Sequence, residues 1–167
     1  MLFLQSQPDG RMILKTERLE IRELVRKNAL SVLAVMDSCP EGIIDPDIKH
    51  DPDLIGAMIA GDMTDQYRFF GYGLWGVFKD GLLIGLAGLK NGSAAGVAEI
   101  SYAILPQYRR KGYMTEAMLS VLRYAEDQGF SCVEARIPDG NRASAAFFSH
   151  LADCCQRVAV DSFSFTL

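Results

Sequence analysis

The chain has 167 residues, 49% of them apolar and 23% charged, with a formal net charge of −4. That length suits one domain with a full core, no run of apolar residues is long enough to span a bilayer, and a net negative chain is a poor partner for nucleic acid. The opening Met1 to Leu4 lacks a basic lead-in and passes at once into Gln5, Gln7, Pro8 and Asp9, so it does not read as a signal peptide, and the expected compartment is the cytoplasm.

Residues 1–11 read as a loose leader and residues 12–167 as a single domain. Leu14 to Leu24 alternates apolar and charged residues, Leu19 and Ile21 against Arg18, Glu20 and Arg22, which predicts a half-buried strand. Asn28 is placed to cap a helix over Ala29 to Met36, and a second helix opens at Asp51 with Pro52 in its first turn. Tyr72 to Lys79 and Leu82 to Lys90 form a hairpin across Asp80-Gly81, followed by a strand from Ala98 to Leu105. Apolar residues at Met114, Ala117, Met118, Val121, Leu122 and Ala125 then recur at helical spacing, with Gly129 at the expected C-terminus. Ser131 to Ile137 reads as a strand, and Asn141 caps a helix containing Phe147, Phe148 and Leu151. Two weak strands, near Gln156 to Val160 and Ser162 to Leu167, close the chain. The order implies a mixed α/β (α+β) fold.

Cys39, Cys132, Cys154 and Cys155 show no metal-ligand spacing, and the adjacent pair is badly placed to bridge, so reduced thiols and no metal site are expected. Gly71-Tyr-Gly-Leu-Trp-Gly76 spells a dinucleotide fingerprint but enters a strand instead of opening a helix, so close backbone approach is the better account of its glycines.

The decisive stretch is Gln107-Tyr-Arg-Arg-Lys-Gly-Tyr-Met-Thr-Glu-Ala-Met118. A strand feeds a turn with three cations, then a glycine, then a helix whose first amides lack partners and carry about half a positive charge. A solvated basic turn is the plain alternative; an anion site for phosphate is the functional one.

Arg109-Arg-Lys-Gly112-Tyr-Met114 resembles the Arg/Gln-x-x-Gly-x-Gly/Ala loop of the GNAT superfamily of acyl-CoA-dependent N-acyltransferases. Gly112-Tyr-Met-Thr-Glu-Ala is particularly similar to the branch containing the ribosomal-protein-alanine acetyltransferases. Supporting pieces are Leu14-Lys-Thr-Glu-Arg-Leu19, the Ala98-Glu-Ile-Ser-Tyr102 strand and Asn141-Arg-Ala-Ser144. The resemblance implies a GNAT-like fold with a mostly antiparallel mixed sheet of six to seven strands and helices on both faces. It implies acetyl-CoA as co-substrate, an amine acceptor, no metal, no nucleic acid or membrane partner, and a monomer or homodimer.

Carried over residue by residue, the resemblance assigns the diphosphate of coenzyme A to the turn of Arg109, Arg110, Lys111, Gly112, Tyr113, Met114 and Thr115. The pantetheine arm falls to the backbones of Ile104 and Leu105, with Asn141 and Ser144 touching the pantetheine or nucleotide end. A helix cap alone also explains Asn141. Glu99 is the implied general base, against the alternative of a glutamate on the polar side of a strand; a glutamate serves that role at neutral pH only if burial or carboxylate neighbours retune it. Ser101 is placed to orient water, and an amide near Ala103 to polarise the carbonyl. The register gives Phe148 where many relatives carry a tyrosine that protonates the leaving thiolate. Met114 replaces a small residue of the loop, its side chain expected in the core. The segment Asp37 to Asp51, with five carboxylates, suits a cationic acceptor or is an ordinary solvated loop. Tyr67, Phe69, Phe70, Tyr72 and Trp75 offer an aromatic floor or are core. The implied activity is acetyl transfer from acetyl-CoA to a primary amine; the alternative is a catalytically weak acyl-CoA-binding module.

Overall fold

A computed structural model describes residues 3–6, 12–38, 53, 73–137, 140–155, 159–160 and 164–166. Its strands are β1 (Phe3–Ser6), β2 (Met12–Lys15), β3 (Glu20–Glu23), β4 (Gly73–Lys79), β5 (Leu82–Asn91), β6 (Val97–Ile104), β7 (Cys132–Glu134), β8 (Ala159–Val160) and β9 (Ser164–Thr166). The helices are α1 (Ala29–Asp37), α2 (Tyr113–Asp127) and α3 (Arg142–Cys155). The strands form one sheet in the order β1-β2-β3-β4-β5-β6-β7-β9-β8. Every pairing in it is antiparallel except β6 with β7.

The mixed, mostly antiparallel architecture is as expected, and the sheet reaches nine strands for two local reasons. The leader supplies β1, and the segment from Leu14 to Leu24 is two strands folded back across residues 16–19. Thr16 closes that turn twice: its N–H donates to Leu19 O at 3.0 Å, and its Oγ1 accepts the Leu19 N–H at 3.0 Å. Asn28 corrects another expectation. It makes no side-chain cap on α1; its Oδ1 instead accepts the Val25 N–H at 2.9 Å.

The hairpin between β4 and β5 turns on Asp80 and Gly81, both at positive φ (49° and 79°), the geometry that matches strand twist in a two-residue loop. Gly76 of the fingerprint-like stretch sits inside β4, where a Cβ would meet Phe78 Cε2 at 2.5 Å and Leu83 Cδ1 at 2.6 Å. Its role is close packing, as expected.

Two cores cover the sheet. On one face Ile21, Trp75, Val77, Leu89, Ile100 and Ile104 meet Met114, Met118, Val121 and Leu122 of α2 and Phe148 and Leu151 of α3. On the other, Leu24, Phe78, Leu86 and Ala103 meet Val32, Val35 and Met36 of α1. All six apolar positions predicted for α2 are buried, and each large one contributes about 1.5–3 kcal/mol. The helix ends where expected: Gly129 takes φ 86°, its N–H bonds Glu126 O, and the Phe130 N–H reaches Ala125 O, a Schellman close.

Candidate active site

Strand β6 ends in a short 3-10 turn, Pro106–Tyr108, and α2 begins five residues later at Tyr113. Between them the backbone changes hand: Arg109 is extended, Arg110 has φ 57° and Gly112 has φ 78°. The first helical bond of α2 runs from Glu116 N–H to Gly112 O at 3.0 Å, so the amides of Tyr113, Met114 and Thr115 find no acceptor inside the helix. A left-handed residue followed by right-handed ones curls successive N–H groups toward one point, which is an anion-binding concavity reinforced by the helix dipole. The Met114 side chain is buried in the core behind it.

The three cations of the turn are not equivalent. Arg109 is committed to the protein: its Nε donates to Ile104 O at 3.1 Å and its Nη2 to Ser38 O at 2.8 Å, tying the turn to the C-terminus of α1. A C-terminal helix carbonyl attracts a guanidinium for the same dipolar reason, so this side chain braces the turn whose amides the resemblance assigned to the diphosphate. Lys111 donates to Gln107 O at 2.7 Å across the Tyr108 ring. Arg110 is exposed and makes no hydrogen bond or ion pair among the described residues.

The second component is an open strand edge. Pairing of β6 with β7 ends at Glu99 and Glu134, whereas β6 runs on to Ile104. From Ile100 onward β6 pairs with β5 on one side only, among the described residues. The Leu105 N–H bonds Ile84 O at 2.9 Å, on the β5 side. Two-residue alternation then turns the backbone of Ala103 to β5 as well, and those of Tyr102 and Ile104 to the open edge. Of the amides near Ala103 that the sequence offered for a carbonyl, that of Ala103 itself faces β5, and those of Tyr102 and Ile104 face away from it. Leu105 offers no free amide, and Ile104 O already holds Arg109.

Glu99 and Ser101 lie on the α1 face of β6. Glu99 is 7% exposed, with Arg136 Nη2 3.6 Å from its Oε2. Its register neighbour on β7, Glu134, is occupied by Ser93, whose N–H and Oγ donate to the carboxylate at 2.6 and 2.8 Å. Ser101 Oγ is buried and has no hydrogen-bond partner among the described residues.

A family model described as an acetyltransferase (GNAT) domain matches residues 18–151. The chain belongs to the GNAT acetyltransferase family. Solved structures agree in fold with this GNAT chain. A GNAT-family acetyltransferase from Bacillus anthracis is 23% identical, with 84% of this chain and 82% of that one covered and a TM-score of 0.64. The ribosomal-protein-S5-alanine acetyltransferase from Vibrio fischeri is 14% identical, covering 83% and 81% at 0.66. RimL, a ribosomal L7/L12 α-N-protein acetyltransferase solved with coenzyme A, is 13% identical, covering 81% and 80% at 0.67. No curated protein sequence gives a significant match.

The remaining residues that the sequence offered for the site lie on α3 or just before it. Asn141 is a helix cap, its Oδ1 accepting the Ser144 N–H at 3.1 Å. The Ser144 hydroxyl is met by Tyr102, whose phenol donates to Oγ at 3.1 Å. Phe148 is 3% exposed and packs edge-on to the Tyr102 and Phe147 rings, with centroids 5.5 and 5.3 Å away. A phenol is thus delivered to α3 from β6, next to the helix position that has none. Trp75 is a core residue against Tyr124 on the α2 face, opposite Glu99, so it is no acceptor floor. Of the segment Asp37 to Asp51 that the sequence set against the acceptor, residues 39–51 lie outside the described residues, as do the helix expected from Asp51, apart from Asp53, and the aromatic residues Tyr67, Phe69, Phe70 and Tyr72.

Sequence reasoning missed Arg18. The β2–β3 turn brings it to the N-terminus of α2, where Arg18 Nη1 donates to Lys111 O at 3.2 Å and Nε to Glu116 Oε2 at 2.6 Å. Glu116 Oε1 also accepts Thr16 Oγ1 at 2.5 Å and the Arg18 N–H at 2.9 Å. Burial pushes the Glu116 carboxyl up, but the bonds from Thr16, the Arg18 N–H and the Arg18 guanidinium outweigh it and hold it below the usual carboxylate range. The signal existed in the sequence only as a resemblance: Thr16 and Arg18 belong to one family-like stretch and Glu116 to another.

Proposed function

We propose that this GNAT protein moves an acetyl group from acetyl-CoA to a primary amine by direct attack on the thioester. The observation that carries this reading is continuity: among the described residues the β6–β7 pairing stops at Glu99, and β6 runs on from there into the Gly112 turn. A diphosphate held by the Gly112–Thr115 amides leaves the pantetheine arm to pair along Ile100–Ile104 and brings the thioester to the level of Ser101. The amine nitrogen forms the new C–N bond from the α1 face, and an open-edge N–H of Tyr102 or Ile104 supports the oxyanion. The C–S bond then breaks with its electron pair on sulfur. Glu99 takes the proton the nitrogen sheds, and sulfur acquires one from solvent or a hydroxyl.

The acceptor we infer is a peptide α-amine. An amine near pKa 8 costs only about 1.4 kcal/mol to present neutral at pH 7, against roughly 4–5 kcal/mol for a lysine-like one. The carboxylate-rich segment of residues 37–51 attracts a cationic chain terminus. The ribosomal-protein acetyltransferases among the structural relatives are named for such acceptors. Phe148, which has no proton to give, favours the second reading of an acyl-CoA-binding module. Thiol release from acetyl-CoA, measured over a panel of peptides, polyamines and small amines, decides between them. Acceleration by a peptide amine supports the enzyme. Calorimetric coenzyme A binding without acceleration by any amine leaves the module.

A further inference from the structure

We propose that Arg18 is the positioning residue of the diphosphate turn, fixing the Lys111–Gly112 peptide so that the amides from Gly112 onward face the ligand. The proposal rests on the reading of that turn as the coenzyme A site. In a trans peptide the N–H points opposite to the C=O. Holding Lys111 O on Arg18 Nη1 at 3.2 Å therefore turns the Gly112 N–H to the far side, and keeps a partial negative charge away from an incoming anion.

The guanidinium is held on several sides. Glu116 takes Nε at 2.6 Å and the Tyr113 ring lies 4.7 Å from Cζ. A Cβ on Gly112 would come within 3.3 Å of Nη2, so the group lies flat against the turn where a side chain would project. Only a planar fork satisfies Lys111 O and the Glu116 carboxylate together; a lysine ammonium has the charge without that geometry. The same pairing cancels a carboxylate in the first turn of α2, where a bare negative charge would repel a diphosphate. Thr16 completes the device by donating to Glu116 from the start of the same β2–β3 turn.

The test compares two donors with one accelerating amine: acetyl-CoA, and S-acetylpantetheine, which carries the same thioester and arm without the diphosphate. Arg18→Ala should lower kcat/KM for acetyl-CoA about ten- to hundredfold, chiefly through KM, since a charge-assisted bond and its alignment are lost. S-acetylpantetheine should stay within about twofold of wild type on the same grounds. Arg18→Lys should lose as much as alanine. Glu116→Gln, which keeps the Thr16 bond and the fold, should show a smaller loss in the same direction. An equal loss on both donors, or a lysine variant at wild-type affinity, overturns the proposal. Wild type that neither binds coenzyme A nor releases thiol overturns the reading beneath it, and that outcome is visible before any variant is made.

Discussion

Gly112→Ala and Gly129→Ala form a matched pair that separates backbone strain from site chemistry. Both glycines are left-handed, at φ 78° and 86°, and both flank α2. An L-residue in that region costs about 1–2 kcal/mol, offset by about 0.4–1 kcal/mol from the stiffer unfolded chain. Nothing lies within 4 Å of a Cβ at Gly129, so its substitution should cost only the difference, about 0.5–1 kcal/mol. At Gly112 the new methyl meets Arg18 Nη2 at 3.3 Å and must push the guanidinium off Lys111 O. Weakening that charged bond adds about 1 kcal/mol. In a chain of this size the two variants should melt about 1–4 °C and 3–8 °C below wild type, with Gly112→Ala the lower of the two. Calorimetry with coenzyme A should show Gly129→Ala unchanged and Gly112→Ala weakened at least about tenfold. Equal coenzyme A affinity in the two variants would refute the assignment of the turn, and equal melting temperatures would refute the Arg18 contact.

Glu116 makes a pH-dependent contribution whose sign follows from its depressed carboxyl. Stability from this group is complete above the unfolded carboxylate pKa of about 4.3 and drains away as pH falls through the lower folded value, so the gap between wild type and Glu116→Gln in urea titrations should close on acidification. A gap that widens toward acid contradicts the geometry. Glu99→Gln should lower kcat about 10²–10⁴-fold with coenzyme A affinity intact, as a lost general base does; unchanged turnover across the pH range removes Glu99 from the mechanism. Arg109→Ala severs the ties to Ile104 O and Ser38 O and should destabilise by about 1–2 kcal/mol in chemical denaturation, with coenzyme A binding more lightly affected than in Arg18→Ala. Phe148→Tyr buries a hydroxyl in the packed ring cluster and should cost about 1–3 kcal/mol without raising kcat; a faster enzyme would show that the helix position can still supply the proton.

Periodicity and turn chemistry made most of the framework legible. The face of α2 was readable because six apolar residues repeat at 3.6-residue spacing, and the hairpin because Asp80-Gly81 suits positive φ at both positions. The break at residues 16–19 left one trace, a slip of phase between Leu14 and the pair Leu19 and Ile21, which a polar run of four residues disguises as one continuing strand. Asn28 looked like a cap since its type and place were right; whether Oδ1 bonds forward to the helix or back to Val25 depends on chain direction that spacing does not encode. Arg18 and Glu116 stand 98 residues apart, and only the packed fold brings them together. The charge run at 109–111 announced a site but not its division of labour, since Arg109 and Lys111 spend their donors on carbonyls of the protein.

The anion turn and the open edge have one topological cause. Every neighbour pair in this sheet is antiparallel except β6 with β7, and two parallel strands must be joined by a crossover. That crossover is α2, so its N-terminus has to stand at the carboxyl end of β6. The same crossover returns the chain to pair with the opposite end of β6, at Val97–Glu99, so that among the described residues β7 runs alongside β6 only up to Glu99. The helix N-terminus and the end of the β6–β7 pairing therefore arise side by side, at the point where the sheet changes its sense, which is where open α/β sheets take ligands. Lengthening β7 by pairing residues 135–137 with β6 would close the edge without touching the turn. A disulfide engineered between positions 102 and 137 should accordingly keep coenzyme A diphosphate contacts, measurable with 3′-phosphoadenosine 5′-diphosphate, while abolishing acetyl transfer; full activity in the oxidised form would mean that the arm runs elsewhere.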